Sequence, residues 1–263
     1  MNLYDDENKI IEYFQKTPIS SVYFPKMLNE LEEIFDKIYF EENWLQWKDS
    51  SDKDNPPPDF YSDEFGLMMD VMRIDDHAFV SKKGKVVNLI NAGESKLRKE
   101  LENSGIMEQF PNCKNIFVTA KTKLPTEEDH NYDFYLSNFE RTVKEHIRKI
   151  PLYKQNHPNC KIVFFVFDES SAYMKTETDS IRKQIHFERE GINALPHIHF
   201  LDKSFLNVVS NTKIDYLIWF SPFKLTMGEQ GIIDMPIVGV FKINDLDFET
   251  FIYEADYMLS TEV

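Results

Sequence analysis

Two aspartates, Asp59 and Asp70, are the strongest candidates for chemistry in this 263-residue sequence. A strand is predicted over Phe65–Ile74, and its period of two places Asp70 on a face otherwise occupied by methionines. A carboxylate on an apolar face is costly unless it is paired, hydrogen-bonded, protonated or bound to a cation. Two acids on adjacent strand ends can bind a hard divalent ion such as Mg²⁺. The alternative is an ordinary salt bridge from Asp70 to Arg73 or to a lysine of a neighbouring element.

Two further polar clusters have residue types that bind metals. The sequence RIDDH follows the predicted strand and contains Asp75, Asp76 and His77. These residues either form a ligand-facing strand end or a simple turn, which aspartates also favour. The sequence HIH places His197 and His199 two residues apart, a spacing that some metal sites use. The alternative is that both histidines are structural.

One helix contains a stripe of basic residues, although the sequence as a whole is acidic. Arg141, Lys144 and Arg148 recur at spacings of three and four along a helix predicted over Tyr132–Ile150. Such a stripe could contact nucleic-acid phosphates. The alternative is a solvated helix face, because glutamates are interleaved with the basic residues.

Alternating helices and strands predict an α/β fold, an α/β sandwich in which a mixed β-sheet has helices on both faces. The strand KIVFFVF is apolar on both faces, as expected where layers cover both sides of the sheet, and it ends at the polar sequence DES. We predict a single domain over residues 1–263, with 1–25 as an N-terminal helical extension. Helices are predicted at Leu3–Gln15, Met27–Tyr39, Glu94–Asn103, Tyr132–Ile150, Lys203–Ser210 and Asp247–Leu259, and further strands at Val86–Ile90, Asn115–Ala120, His197–Phe200, Asp215–Phe220 and Pro236–Phe241.

The sequence from Pro58–Asp59 to LMMDVM resembles the PD-(D/E)XK nuclease superfamily. The resemblance covers about residues 26–168 and implies a restriction-endonuclease-like fold in which Asp59 and Asp70 bind Mg²⁺. It also implies that Glu30, on the preceding acidic helix, is an accessory acid.

The family lysine, which positions water or stabilises charge, is replaced by Met72. The resemblance therefore implies hydrolysis only if a lysine from a neighbouring element takes this role, with Lys96, Lys121 and Lys123 as candidates.

Composition restricts the class of protein. The hydrophobic content of 42% argues against disorder, and no apolar run is long enough to span a bilayer. We therefore expect a soluble, cytoplasmic protein whose two cysteines, Cys113 and Cys160, are reduced. No GxGxxG, GxxxxGK[ST], GxSxG or HExxH motif occurs.

Two functions follow as hypotheses. The first is a divergent, metal-dependent nuclease-like protein of reduced or absent activity. The second, suggested by the formal charge of −15, is a non-enzymatic acidic protein of the inhibitor or immunity type that covers a basic protein partner.

Overall fold

The computed structural model describes residues 6–26, 28–50, 58–80, 83, 85–105, 130–175, 195–228, 231–246 and 249–261. This part of the chain contains fourteen strands and six α-helices. The strands are β1 (Val22–Tyr23), β2 (Lys48–Asp49), β3 (Phe60–Ser62), β4 (Leu67–Ile74), β5 (Ala78–Val80), β6 (Val86–Asn88), β7 (Lys161–Asp168), β8 (Tyr173–Lys175), β9 (Leu195–Pro196), β10 (Tyr216–Phe220), β11 (Leu225–Gly228), β12 (Gly231–Asp234), β13 (Val238–Lys242) and β14 (Met258–Ser260). The helices are α1 (Glu7–Phe14), α2 (Asn29–Tyr39), α3 (Glu41–Trp44), α4 (Leu89–Asn103), α5 (Tyr132–Asn156) and α6 (Lys203–Val209).

Seven of these strands form one mixed sheet in the order β1-β13-β10-β7-β4-β3-β2. The central strands β4, β7 and β10 are parallel, whereas β2, β3 and β4 form an antiparallel meander at one side. The remaining strands form small sheets of two or three strands. Because β4, β7 and β10 are parallel, their carboxyl ends lie at the same edge of the sheet.

The two faces of the sheet are covered by different helices. Leu67, Met69 and Val71 of β4 belong to one buried cluster, together with apolar residues of α1 and α2. The alternating residues Met68 and Met72 belong to a second cluster, together with α5 and α6. The predicted α/β sandwich is therefore confirmed, and α1, within the predicted N-terminal extension, packs against the sheet.

Two predicted elements are wrong in this structure. The HIH sequence does not form a strand: β9 ends at Pro196, before it, and a 3₁₀ turn over His199–Leu201 begins at its last residue. The closing helix predicted over Asp247–Leu259 is replaced by a 3₁₀ turn at Ala255–Tyr257 and by β14, which pairs with β8. In both cases long-range contacts override the local pattern. The predicted strand Asn115–Ala120 and Cys113 lie outside the described residues.

The helix predicted to end at Ile150 instead continues through Pro151 to Asn156. A proline inside a helix removes one backbone hydrogen bond, so other contacts must stabilise the last turn. Tyr153 provides such contacts, because its ring is buried and its hydroxyl donates to Asp70 at 2.9 Å. The extension of α5 thus brings Tyr153 to the candidate site.

Candidate functional site: a carboxyl pair on adjacent strands

The antiparallel pairing of β3 with β4 places Asp59 beside Asp70. Phe60 pairs with Met69, so the next pair in the same register is Asp59 with Asp70. The two carboxyl groups share a hydrogen bond, and Asp59 Oδ2 also accepts a hydrogen bond of 2.7 Å from the backbone N–H of Val71. The structure therefore brings together the two aspartates that the sequence suggested as metal ligands.

The pair is electrostatically unfavourable when both groups are ionised. Burial, the negative charge of Asp70 and the hydrogen bond between the two carboxyls raise the pKa of Asp59 to about 8, although the Val71 N–H opposes this shift. The charge of Glu7 on α1 raises it further. At neutral pH, Asp59 thus holds a proton that a bound cation could replace.

Helix α5 supplies two side chains that fix the position of Asp70. Both His146 Nδ1 and the Tyr153 hydroxyl contact the same oxygen, Oδ2. Burial, followed by the charge and hydrogen bond of Asp70, raises the pKa of Tyr153, so its hydroxyl remains a donor. The carboxylate is only 3% exposed and obtains the partners that its apolar surroundings require. Arg73, the partner named in the alternative interpretation, pairs with Glu169.

Sequence reasoning missed His146 and Tyr153. They are seven residues apart, close to two helical turns, and therefore lie on one side of α5. Both are polar-tipped residues next to the apolar stripe of that helix, which is the only sequence signal that pointed to them.

Within the described part of the chain, Val71, His146 and Tyr153 are hydrogen-bonded to the carboxyl pair, and no lysine side chain is. Met72 is buried in the core on the same face as Asp70. Lys96 lies on α4, strongly exposed and 3.9 Å from Glu100. Lys121 and Lys123 lie outside the described residues. The predicted replacement of the family lysine therefore stays a prediction.

Glu30 is not part of this site. Its helix, α2, covers the face of the sheet opposite to Asp70, because the apolar side chains of α2 pack with the other set of β4 residues. The Glu30 carboxylate contacts Lys161 at 2.9 Å and Lys242 at 2.7 Å, and it also accepts a hydrogen bond from Tyr216. The hydrogen bonds from Lys161, Lys242 and Tyr216 lower the pKa of Glu30 to about 2.

The basic stripe of α5 is partly neutralised within its own helix. Lys144 pairs with Glu140, and Arg141 lies 3.5 Å from Glu145. Arg148 is exposed on the same helix. These contacts are the ones expected of a solvated helix face.

The two histidines of HIH have separate partners. His197 Nε2 lies 2.8 Å from an Asp202 carboxylate oxygen, whereas the ring of His199 stacks on Trp219 with centroids 4.0 Å apart. Burial lowers the pKa of both imidazoles. Different environments for the two rings favour the structural alternative over a shared metal site.

The polar sequence that ends β7 also has a structural role. Asp168 is fully buried and accepts hydrogen bonds from Ser170, Tyr135 and Trp219, and Lys224 Nζ lies 3.1 Å from it. Its charge is therefore balanced inside the protein by this donor set.

No protein-family model, curated protein or solved structure matches this chain. In the described part of the chain, no helix combines the length and the apolar character needed to cross a membrane.

Proposed function

We propose that this chain is a divergent, metal-dependent nuclease-like protein in which Asp59 and Asp70 bind Mg²⁺. The observation that carries the proposal is the contact between the two carboxyl groups across β3 and β4. Two adjacent carboxylates offer the oxygen ligands that Mg²⁺ prefers, and a divalent charge removes the repulsion between them.

Each residue of the site has a separate role in this proposal. Asp59 and Asp70 hold the ion, and His146 and Tyr153 position Asp70 by binding its Oδ2. The chemistry that a bound Mg²⁺ supplies is charge stabilisation on a phosphoryl group.

Cleavage is expected to be slow or absent. Methionine at position 72 offers neither a positive charge nor a proton, so it cannot stabilise charge in the transition state. Loss of one such group typically reduces the rate by about 10² to 10³. Fast cleavage that depends on Asp70 would indicate that another lysine, with Lys121 and Lys123 as candidates, has the missing role.

The test combines metal binding with a cleavage assay. Asp59→Asn and Asp70→Asn are compared with Asp63→Asn, a matched control whose side chain is 63% exposed and pairs with Lys48 at the surface. We expect Mg²⁺ to raise the melting temperature of the parent and of the control, but not of the two site variants.

Labelled DNA and RNA are then incubated with each protein and Mg²⁺ or Mn²⁺. Any residual cleavage should disappear in Asp70→Asn. An undiminished response to Mg²⁺ in both site variants, or cleavage that survives Asp70→Asn, would contradict the proposed site.

Nucleic-acid binding through the basic stripe is a separate part of the proposal. Contacts from Arg141, Lys144 and Arg148 to phosphates would release counterions, so affinity should fall steeply as the salt concentration rises. A triple charge-reversal variant that binds DNA and RNA as well as the parent would exclude this role for the stripe.

The acidic binding protein remains the second candidate, because Glu30 lies on the opposite face from Asp70 and the stripe is partly neutralised by glutamates. This function predicts neither an effect of Mg²⁺ nor affinity for nucleic acid. It predicts instead a salt-sensitive complex with a basic protein.

A further inference from the structure

A second group of metal-ligating side chains lies at the carboxyl end of β4. Asp76 and His77 follow this strand, and His130 directly precedes the N-cap of α5. His130 Nδ1 is 3.1 Å from Asp76 Oδ2, and His77 Nε2 is 3.7 Å from Asp76 Oδ1. One ligand atom from each of the three residues lies within 4.8 Å of the other two.

The two oxygens of Asp76 have very different surroundings. Oδ2 accepts hydrogen bonds from the Ser171 N–H at 3.1 Å, the Ser171 hydroxyl at 2.7 Å and the Tyr173 hydroxyl at 2.7 Å, in addition to its contact with His130. Oδ1 is buried, yet no residue that the structure describes donates a hydrogen bond to it. Asp76 itself has no exposed surface. Buried carboxylate oxygens almost always have a partner, so an oxygen that lies near the His77 imidazole without accepting a hydrogen bond points to a ligand.

We propose that Asp76, His77 and His130 form a binding site for a divalent transition-metal ion such as Zn²⁺. Two imidazoles and one carboxylate are a donor set that zinc accepts, with a further coordination position for water or a substrate. Ligand atoms around a tetrahedral zinc ion are roughly 3.4 Å apart, since each bond is about 2.0–2.2 Å long. The two imidazoles lie at comparable distances from the carboxylate, with His130 Nδ1 3.1 Å from Oδ2 and His77 Nε2 3.7 Å from Oδ1.

The surroundings of the cluster also suit a metal site. Ser171 and Tyr173 hold the Asp76 carboxylate in one orientation by hydrogen bonds. Metal ligands are commonly oriented by such hydrogen-bonded neighbours. The site lies where the parallel strands of the sheet end, and α/β proteins commonly bind ligands at this edge.

Among the residues that the structure describes, one other cluster competes as a metal site, formed by Asp63, His157 and Cys160. Its donors are less suited to binding a metal. Lys48 pairs with Asp63 at 2.9 Å, and burial raises the pKa of the Cys160 thiol, which keeps it protonated. Metal binding there would require loss of an ion pair and of a thiol proton.

The proposed zinc site does not depend on the proposed nuclease-like function. Asp59 and Asp70 offer oxygen ligands, which suit Mg²⁺, whereas imidazole nitrogens favour transition metals. The two sites can therefore be tested with different ions and different variants.

The experiment uses the full chain after removal of metal with a chelator. Zn²⁺ binding is measured by calorimetry, and Co²⁺ is used as a spectroscopic probe of the ligands. We expect one Zn²⁺ per chain, a Co²⁺ spectrum without sulfur ligation and a zinc-induced rise in melting temperature. His77→Ala and His130→Ala should each weaken Zn²⁺ binding by at least 10-fold. Mutation of residues that only hydrogen-bond to metal ligands already lowers metal affinity 10- to 100-fold.

Two control variants separate this site from the others. Cys160→Ala and Asp70→Asn should bind Zn²⁺ like the parent. His77→Ala is the variant least expected to disturb folding, because the His77 side chain is partly exposed, at 17%, whereas Asp76 is fully buried. Circular dichroism shows whether each variant is folded. Unchanged Zn²⁺ affinity in folded His77→Ala, or loss of binding in Cys160→Ala, would refute the proposed ligand set.

Discussion

Replacing Asp59 with asparagine tests the shared proton of the carboxyl pair directly. In the unfolded chain an aspartate loses its proton near pH 4, but in the folded protein the pKa of Asp59 is about 8. Folding therefore takes up a proton between these two pH values, and the free energy of unfolding falls as the pH rises from about 4 to 8. Asparagine resembles the protonated acid: it can accept from Val71 and donate to Asp70, and it has no proton to lose.

The size of the effect follows from the pKa difference. Each pH unit above the unfolded-state pKa of about 4 lowers the free energy of unfolding by at most about 1.4 kcal/mol. The largest possible loss at pH 7 is therefore about 4 kcal/mol. Local relaxation and water penetration reduce such penalties, and we expect about 2 kcal/mol. Asp59→Asn should therefore be more stable than the parent at pH 7 without metal, with a melting temperature about 5 °C higher. At pH 4 the two proteins should be equally stable.

The assay is urea denaturation at several pH values between 4 and 8.5, with a chelator present. Asp63→Asn serves as the control, because its carboxylate is exposed and its ion pair with Lys48 contributes little. Its pH profile should run parallel to that of the parent. If Asp59→Asn is less stable than the parent at pH 8, or if its profile is parallel to the parent's, the two carboxyls do not share a proton.

Two further predictions concern the partners of Glu30 and Asp70. Glu30→Gln should lower the free energy of unfolding by about 1–2 kcal/mol at pH 7. This value is kept low because solvent screens the ion pairs of the partly exposed Glu30 carboxylate. Because the pKa of Glu30 is about 2, this difference should be complete above pH 4.5 and should disappear as the pH falls toward 2 in urea melts. Tyr153→Phe should cost about 1.5–3 kcal/mol in the same assay, since it removes a hydrogen bond to a buried carboxylate. An unchanged urea midpoint would show that water replaces the hydroxyl.

The sequence was informative about Asp70 because strand geometry is local. The period of two assigns Asp70, Met68 and Met72 to one face of β4, and burial confirms that both faces are covered. The partners of Asp70 are 76 and 83 residues away, on a helix whose position against the strand is set by tertiary packing. The helix was predicted to end at Ile150, before Tyr153, whereas α5 continues through Pro151.

For Glu30, the sequence predicted the secondary structure but not the position of the residue in the fold. The amphipathic pattern predicts α2 correctly, but it does not specify which face of the sheet the helix covers. That choice depends on the path of the chain, and α2 packs on the face away from Asp70. His197 and His199 were misassigned for a related reason: their alternation resembles a strand, whereas Asp202 and Trp219 determine where the rings lie.

The protonation of Asp59 also links the metal and pH dependence of the proposed Mg²⁺ site. An ion that binds both carboxylates must displace the proton of Asp59, so binding releases a proton wherever the pH is below about 8. The rise in melting temperature produced by a fixed Mg²⁺ concentration should therefore increase from pH 6 to pH 9. Asp59→Asn, which has no proton to displace, should show no such trend.

Calorimetry in buffers of different ionisation enthalpy provides an independent measurement of this coupling. Mg²⁺ binding at pH 6.5 should release nearly one proton per site, and the release should vanish above pH 9. A response to Mg²⁺ that is the same at every pH, without proton release, would mean that the ion binds elsewhere on this acidic protein. The carboxyl pair would then be a structural contact that holds its proton below about pH 8 without binding Mg²⁺.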